Sequence, residues 1–140
     1  MKIRDQNKAT QLFVKYCDAY KQRDLAAILK LFTHDCNLWG TAEDEYRVGL
    51  KALEAQHLRD WSQAEKGEIQ IMSFVTSPVD ANWAAGICKA LITVEGEQYE
   101  FDHLRGTIIV KKENDDWKIF HMHASFPDYR NHLGDSFPRE

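Results

Sequence analysis

Apolar residues recur at helical spacing in the first part of the chain and at alternate positions in its second half, a change of period that predicts helices followed by a sheet. Between Lys8 and Gln22, the residues Leu12, Phe13, Tyr16, Cys17, Ala19 and Tyr20 fall on one stripe, which predicts a first amphipathic helix. Lys21-Gln22-Arg23 ends it, and Asp24 is suited to cap a shorter second helix that buries Leu25, Ile28, Leu29 and Phe32. A short strand follows at Cys36-Asn37-Leu38-Trp39-Gly40. The acidic turn Thr41-Ala42-Glu43-Asp44-Glu45 then leads into Tyr46-Arg47-Val48. Gly49 opens a third helix, from about Leu50 to Ala64, with Leu50, Leu53, His57, Leu58 and Trp61 on or near one face.

Beyond Gly67 the period becomes that of strands, predicted at Glu68 to Val79, Trp83 to Val94, Tyr99 to Lys112 and Trp117 to Phe126. Polar turns at Ser77 to Asn82, Glu95 to Gln98 and Glu113 to Asp116 join them. Strict alternation in the last strand puts Phe120, Met122, Ala124 and Phe126 on one face. Trp117, Ile119, His121, His123 and Ser125 fall on the other. Neither face suits water, so the sheet is expected to be covered on both sides, by helices and by a second subunit or segment. The fold class is α+β.

A length of 140 residues suits one domain, 1–140, that buries roughly two thirds of its unfolded surface. A net charge of −4 without a Lys/Arg stripe argues against a nucleic-acid partner. No apolar run approaches the ~20 residues of a membrane span. The opening Met1 to Gln6 lacks the apolar core of a signal peptide, so a cytoplasmic location is expected. Cys17, Cys36 and Cys88 are odd in number and widely spaced, and read as small buried residues.

The run Tyr16, Ala19-Tyr20, Arg23 to Leu29, Leu31 to Cys36 and Trp39-Gly40-Thr41 resembles the opening of SnoaL-like domains of the nuclear transport factor 2-like superfamily. The acidic turn before Tyr46 to Gly49, the pair Arg105 and Thr107, and the ending Trp117-Lys118-Ile119 with His121, His123 and Ser125 are similar to one SnoaL-like subgroup. That ending also resembles the association domain of calcium/calmodulin-dependent protein kinase II. The resemblance implies a cone-shaped fold with three N-terminal helices on a curved antiparallel or mixed sheet. It also implies a pocket between helices and sheet, and homodimers formed through the outer sheet face.

Candidate site residues follow. Tyr16 falls where ketosteroid isomerases place an oxyanion donor, whereas the position of their carboxylate base is Gly40, which accepts no proton. Acid/base chemistry would therefore draw on Tyr16, Asp44, Glu45, His57 and Asp102. Arg105, with Thr107, is the candidate for ligand contact, since a guanidinium in the cavity wall attracts a carboxylate. Its alternative is a salt bridge to Glu43, Asp44, Glu45 or Asp102. Tyr16, Tyr20, Trp39, Trp61 and Trp83 are candidate aromatic lining, and the association-domain resemblance turns Phe120 and Met122 toward the pocket. On that alignment His121 and His123 turn outward into the dimer interface. With His103 they offer no recognised metal-ligand spacing, and neither metal nor cofactor is expected. Three functions remain open: a homodimer binding a small apolar molecule, with or without a carboxylate; an isomerase, cyclase or dehydratase acting on a polyketide- or steroid-like substrate; and a non-catalytic assembly module.

Overall fold

In the computed structural model, which describes residues 7–139, Asn7 caps the first helix, α1 (Lys8–Gln22), by accepting the Thr10 N–H at 2.8 Å. The reading of Met1 to Gln6 as lacking a signal peptide lies outside the described residues. Asn7 is buried, and its amide donates to Ser77 Oγ at 2.8 Å and the Pro78 carbonyl at 3.1 Å, which ties the start of α1 to a distant loop. Asp24 caps α2 (Leu25–Leu31), accepting from the Ala27 N–H at 3.0 Å. Phe32 does not continue that helix. Its backbone is extended, and it opens β1 (Phe32–Trp39), so the strand starts four residues earlier than the sequence pattern suggests.

β2 (Tyr46–Val48) returns to α3 (Leu50–Ser62) through Gly49, whose φ of 86° lies where a side chain is strained. The remaining strands are β3 (Lys66–Phe74), β4 (Trp83–Val94), β5 (Glu97–Glu113) and β6 (Asp116–Ser125). Glu95-Gly96 and Asn114-Asp115 turn the last two hairpins with positive φ at both residues, the two-residue form that matches strand twist.

The order across the sheet is β2-β1-β6-β5-β4-β3. β1 lies parallel to β6, and every other neighbouring pair is antiparallel, so the sheet is mixed. All three helices pack on one face. Ile28, Phe32, Leu53, Ile108 and Ile119 are each at most 1% exposed and form the centre of this layer. Each such side chain contributes roughly 1.5–3 kcal/mol by leaving water. Leu58, expected on the buried side of α3, is instead 51% exposed, because that face is Leu53, Gln56 and His57.

Two irregularities shape the inner face. Gly86 and Gly106 pair across β4 and β5, and a Cβ on Gly106 would stand 3.1 Å from the Phe13 ring. The glycines thus form a notch that seats Phe13 and brings α1 close to the sheet. In β6 the register slips between the pairs Ile109–His121 and Val110–Ile119, which leaves Phe120 as a bulge. Alternation is broken there. Ile119 joins Met122 among the buried core residues, whereas Phe120 carries the Lys111 ammonium 4.1 Å above its ring.

Candidate ligand-binding chamber

Between α1, α3 and the inner face of the sheet lies a chamber of about 120 Å3. That is many times the roughly 10–15 Å3 needed by one water. It is bordered by a vestibule of about 310 Å3, and Tyr20, Thr41, Glu45, Asp60, Ile69 and Leu104 line both spaces. The floor is apolar, with Phe13, Leu38, Ile108, Met122 and Ala124. One wall is polar, and it is built by α1, α3 and the turn between β1 and β2.

The helical spacing of Leu53, Gln56, His57 and Asp60 turns all four toward the interior. His57 Nδ1 lies 2.8 Å from the Leu53 carbonyl, which only accepts, so Nδ1 carries the proton of the neutral ring. Nε2 is then an acceptor for the Tyr16 hydroxyl at 2.8 Å. Burial holds the His57 pKa below its ordinary value and pushes that of Tyr16 well up, so both are neutral at pH 7.

Tyr20 donates to Asp60 at 2.9 Å, and Gln56 Nε2 donates both to Asp60 at 2.7 Å and to Glu45 at 3.0 Å. Arg47 donates to the other end of the Gln56 amide at 3.0 Å. Burial first, and then the Asp60 charge, raises the Tyr20 pKa. Glu45 occupies a defined place. Its backbone carbonyl accepts from Gly40 at 2.7 Å and its carboxylate accepts from Ala42 at 3.0 Å. A Cβ on Gly40 would meet the Glu45 carboxylate at 2.7 Å. The space a side chain at position 40 would use is therefore filled by Glu45.

The structure brings Tyr16, Tyr20, Glu45, His57 and Met122 into the chamber lining, and Trp61 into that of the vestibule. Thr107 borders the chamber, but it is exposed and alternates with Gly106 and Ile108, so its side chain belongs to the outer face. Others are elsewhere. Trp39 alternates with Leu38, is 50% exposed, and packs on Tyr46 and His123 at centroid distances of 5.7 and 5.3 Å. Trp83 and Arg105 share that outer face, each next to an inward neighbour, Ala84 or Leu104. Arg105 is exposed and, among the described residues, forms no salt bridge to an acidic group. It therefore does not supply the cavity cation expected from its sequence position. Phe120 is excluded by the bulge. Asp44 is exposed and paired with Arg59 at 2.8 Å, and Asp102 is exposed, 3.6 Å from Lys89.

Gln56 and Asp60 are wall residues that the sequence reading did not single out. Their spacing with Leu53 and His57 on α3 was the available signal. Cys17 and Cys88 also line the chamber, and burial raises both thiols, Cys88 to about 11. Protonated thiols are poor nucleophiles at neutral pH. Among the described residues the three metal-type donors that converge, His34, Asp35 and Glu113, lie away from the chamber, in contact with Lys111 and Lys118.

The buried neutral His57 makes stability pH-dependent. Unfolded, the ring titrates near its ordinary value of about 6.5, so below that pH the unfolded chain binds a proton the folded chain refuses. Stability contributed by neutral His57 is therefore complete above about pH 6.5 and falls as the pH drops, by at most about 1.4 kcal/mol per unit. His121, lowered by burial and by His123, acts in the same direction. Urea unfolding between about pH 7.5 and 5.5 should show a shallower decline in His57→Asn than in the wild type. Equal slopes would mean that His57 protonates in the folded protein.

Residues 9–129 match the family model described as the SnoaL-like domain. No curated protein matches the chain. Among solved structures, a proposed aromatic ring hydroxylase from Novosphingobium aromaticivorans superposes with a TM-score of 0.73 at 17% identity, over 90% of this chain and 91% of that one. A proposed calcium/calmodulin-dependent protein kinase II association domain from Xanthomonas campestris does so with a TM-score of 0.71 at 19% identity, over 85% of each chain. A proposed polyketide cyclase from Sinorhizobium meliloti gives 0.62 at 15% identity, over 81% of this chain and 93% of that one. At these identities the likeness establishes the fold, three helices on a curved six-stranded sheet of nuclear transport factor 2-like type. With the family match spanning most of its length, the chain belongs to the SnoaL-like domain family.

Proposed function

We propose that this protein binds a small organic molecule in the chamber and works as a homodimer in the cytoplasm. The observation that carries the reading is the division of one recessed space into an apolar floor and a polar wall, the pattern of small-molecule sites. The outer sheet face supports pairing, because it leaves Trp39, Ile87 and Ile109 substantially exposed. Among the described residues no helix is long and apolar enough to cross a membrane. A carboxylate-bearing ligand loses its basis, since Arg105 lies on the outer face and the chamber wall presents Glu45 and Asp60.

A second reading is an acid/base enzyme of isomerase, cyclase or dehydratase type, favoured by Glu45. Its carboxylate stands over Gly40, the position to which the isomerase resemblance assigns the base. Tyr16 is not poised as oxyanion donor, because its proton is held by His57. Glu45→Gln tests the enzyme reading: turnover lost while a neutral compound still binds favours it, and turnover at the wild-type rate excludes Glu45 as the base.

The binding reading is tested by thermal denaturation with a panel of small apolar compounds, comparing the wild type with the chamber-filling variant Ala124→Phe. A bound compound at about 100 times its dissociation constant adds ~2.7 kcal/mol. That should raise the wild-type melting temperature by several degrees and leave the variant unmoved. Equal behaviour of the two proteins would place any binding outside the chamber.

A further inference from the structure

We propose that the ligand taken by the chamber is a protonated organic amine with an apolar body. This rests on the binding reading above and adds the charge class. The argument is where the wall's protons already point. Tyr16 donates to His57, Tyr20 donates to Asp60, and Gln56 donates to both Glu45 and Asp60. What remains for a ligand is acceptors, namely the Glu45 and Asp60 carboxylates and the Tyr16 oxygen. The side-chain donors left in the chamber are the Thr41 hydroxyl at the rim and the weak thiols of Cys17 and Cys88, and in the vestibule the Trp61 indole N–H has no partner among the described residues.

Positive charge is absent from the chamber lining. No lysine or arginine lines it, and His57 is kept neutral by burial. The three nearby guanidinium groups are engaged with the protein itself, Arg59 through its ion pair with Asp44 at 2.8 Å. Arg47 donates to Gln56 and to the Asp44 carbonyl at 3.1 Å, while Arg23, in the vestibule, donates to the Trp61 and Ala64 carbonyls at 2.8 and 2.6 Å. A carboxylate or an enolate would meet acceptors and like charge. An ammonium would meet carboxylates, and charge-assisted hydrogen bonds are the stronger kind.

Aromatic rings favour the same class. Tyr20 stands 5.9 Å from both His57 and Trp61 and 6.0 Å from Tyr16, centroid to centroid, so an aromatic cluster, the kind of surface that attracts a cation, lies beside Asp60. Leu104, Ile108 and Met122 face the apolar body.

Isothermal titration of the wild-type protein at neutral pH with benzylamine, benzyl alcohol and benzoate holds the ring constant and varies the charge. The expected order is benzylamine tighter than benzyl alcohol by about tenfold or more, with benzoate weakest. In the isosteric double variant Glu45→Gln/Asp60→Asn, shown folded by circular dichroism, benzylamine should fall to the level of the alcohol. If that variant does not fold, the wild-type order decides alone. Benzyl alcohol or benzoate binding as tightly as benzylamine would overturn the amine assignment and leave the binding reading standing. No binding of any of the three would overturn both.

Discussion

Gln56→Leu should destabilise the protein by about 2–4 kcal/mol and disorder the polar wall of the chamber. Gln56 is only 3% exposed, yet its amide serves three charged groups, donating to Glu45 and Asp60 and accepting from Arg47. Leucine fills similar space but leaves two carboxylates without their shared donor and a guanidinium without its acceptor. Hydrogen bonds to charged groups contribute roughly 1.5–3 kcal/mol each, reduced here because the carboxylates retain partial access to water. Chemical denaturation measures the loss. A change below about 0.5 kcal/mol would show that solvent substitutes for the amide and that the network does not hold the wall.

Phe13→Ala should lose about 3–5 kcal/mol, the usual range for a buried phenylalanine. The ring packs edge-on against Phe74 at 5.3 Å and fills the notch above Gly86 and Gly106. Because Phe13 also lines the chamber, its removal should extend the chamber toward β4 and β5 and admit bulkier compounds. A double-mutant cycle sharpens the test. Gly106→Ala in the wild type presses a methyl to 3.1 Å from the ring, whereas in Phe13→Ala the same methyl enters vacated space. The second alanine should therefore be less harmful, or stabilising, in the truncated background. Additive losses would mean that the glycines are not there to seat Phe13.

The features legible in the sequence were those set by local chemistry. α1 runs from Lys8 to Gln22 as its apolar stripe predicts, Asp24 caps α2, and Asn114-Asp115 turns the last hairpin. What misled was decided across the sheet. Strict alternation put Phe120 on the face of Met122, which the association-domain resemblance turned inward, but a bulge arises from the register against β5 and cannot be read from β6 alone. Arg105 lies in a strand with apolar residues on both faces, Ile108 inward and Ile109 outward, so alternation left its direction open. Which acid of the turn enters the wall was likewise undetermined. Glu43, Asp44 and Glu45 are alike in sequence, and only the fold of the turn over Gly40 selects Glu45. Gln56 and Asp60 went unread because polar residues on a helix usually face water, although their spacing with Leu53 and His57 placed them on the buried side.

The most direct test of the account is native mass spectrometry of the protein purified from its own source, recording subunit stoichiometry and any retained molecule. The account predicts a dimer that carries a defined small organic molecule, and an Ala124→Phe dimer that carries none. A ligand-free assembly in both proteins, dissociated by a charge placed on the outer face as in Trp39→Glu, would contradict it and make the chain an assembly module.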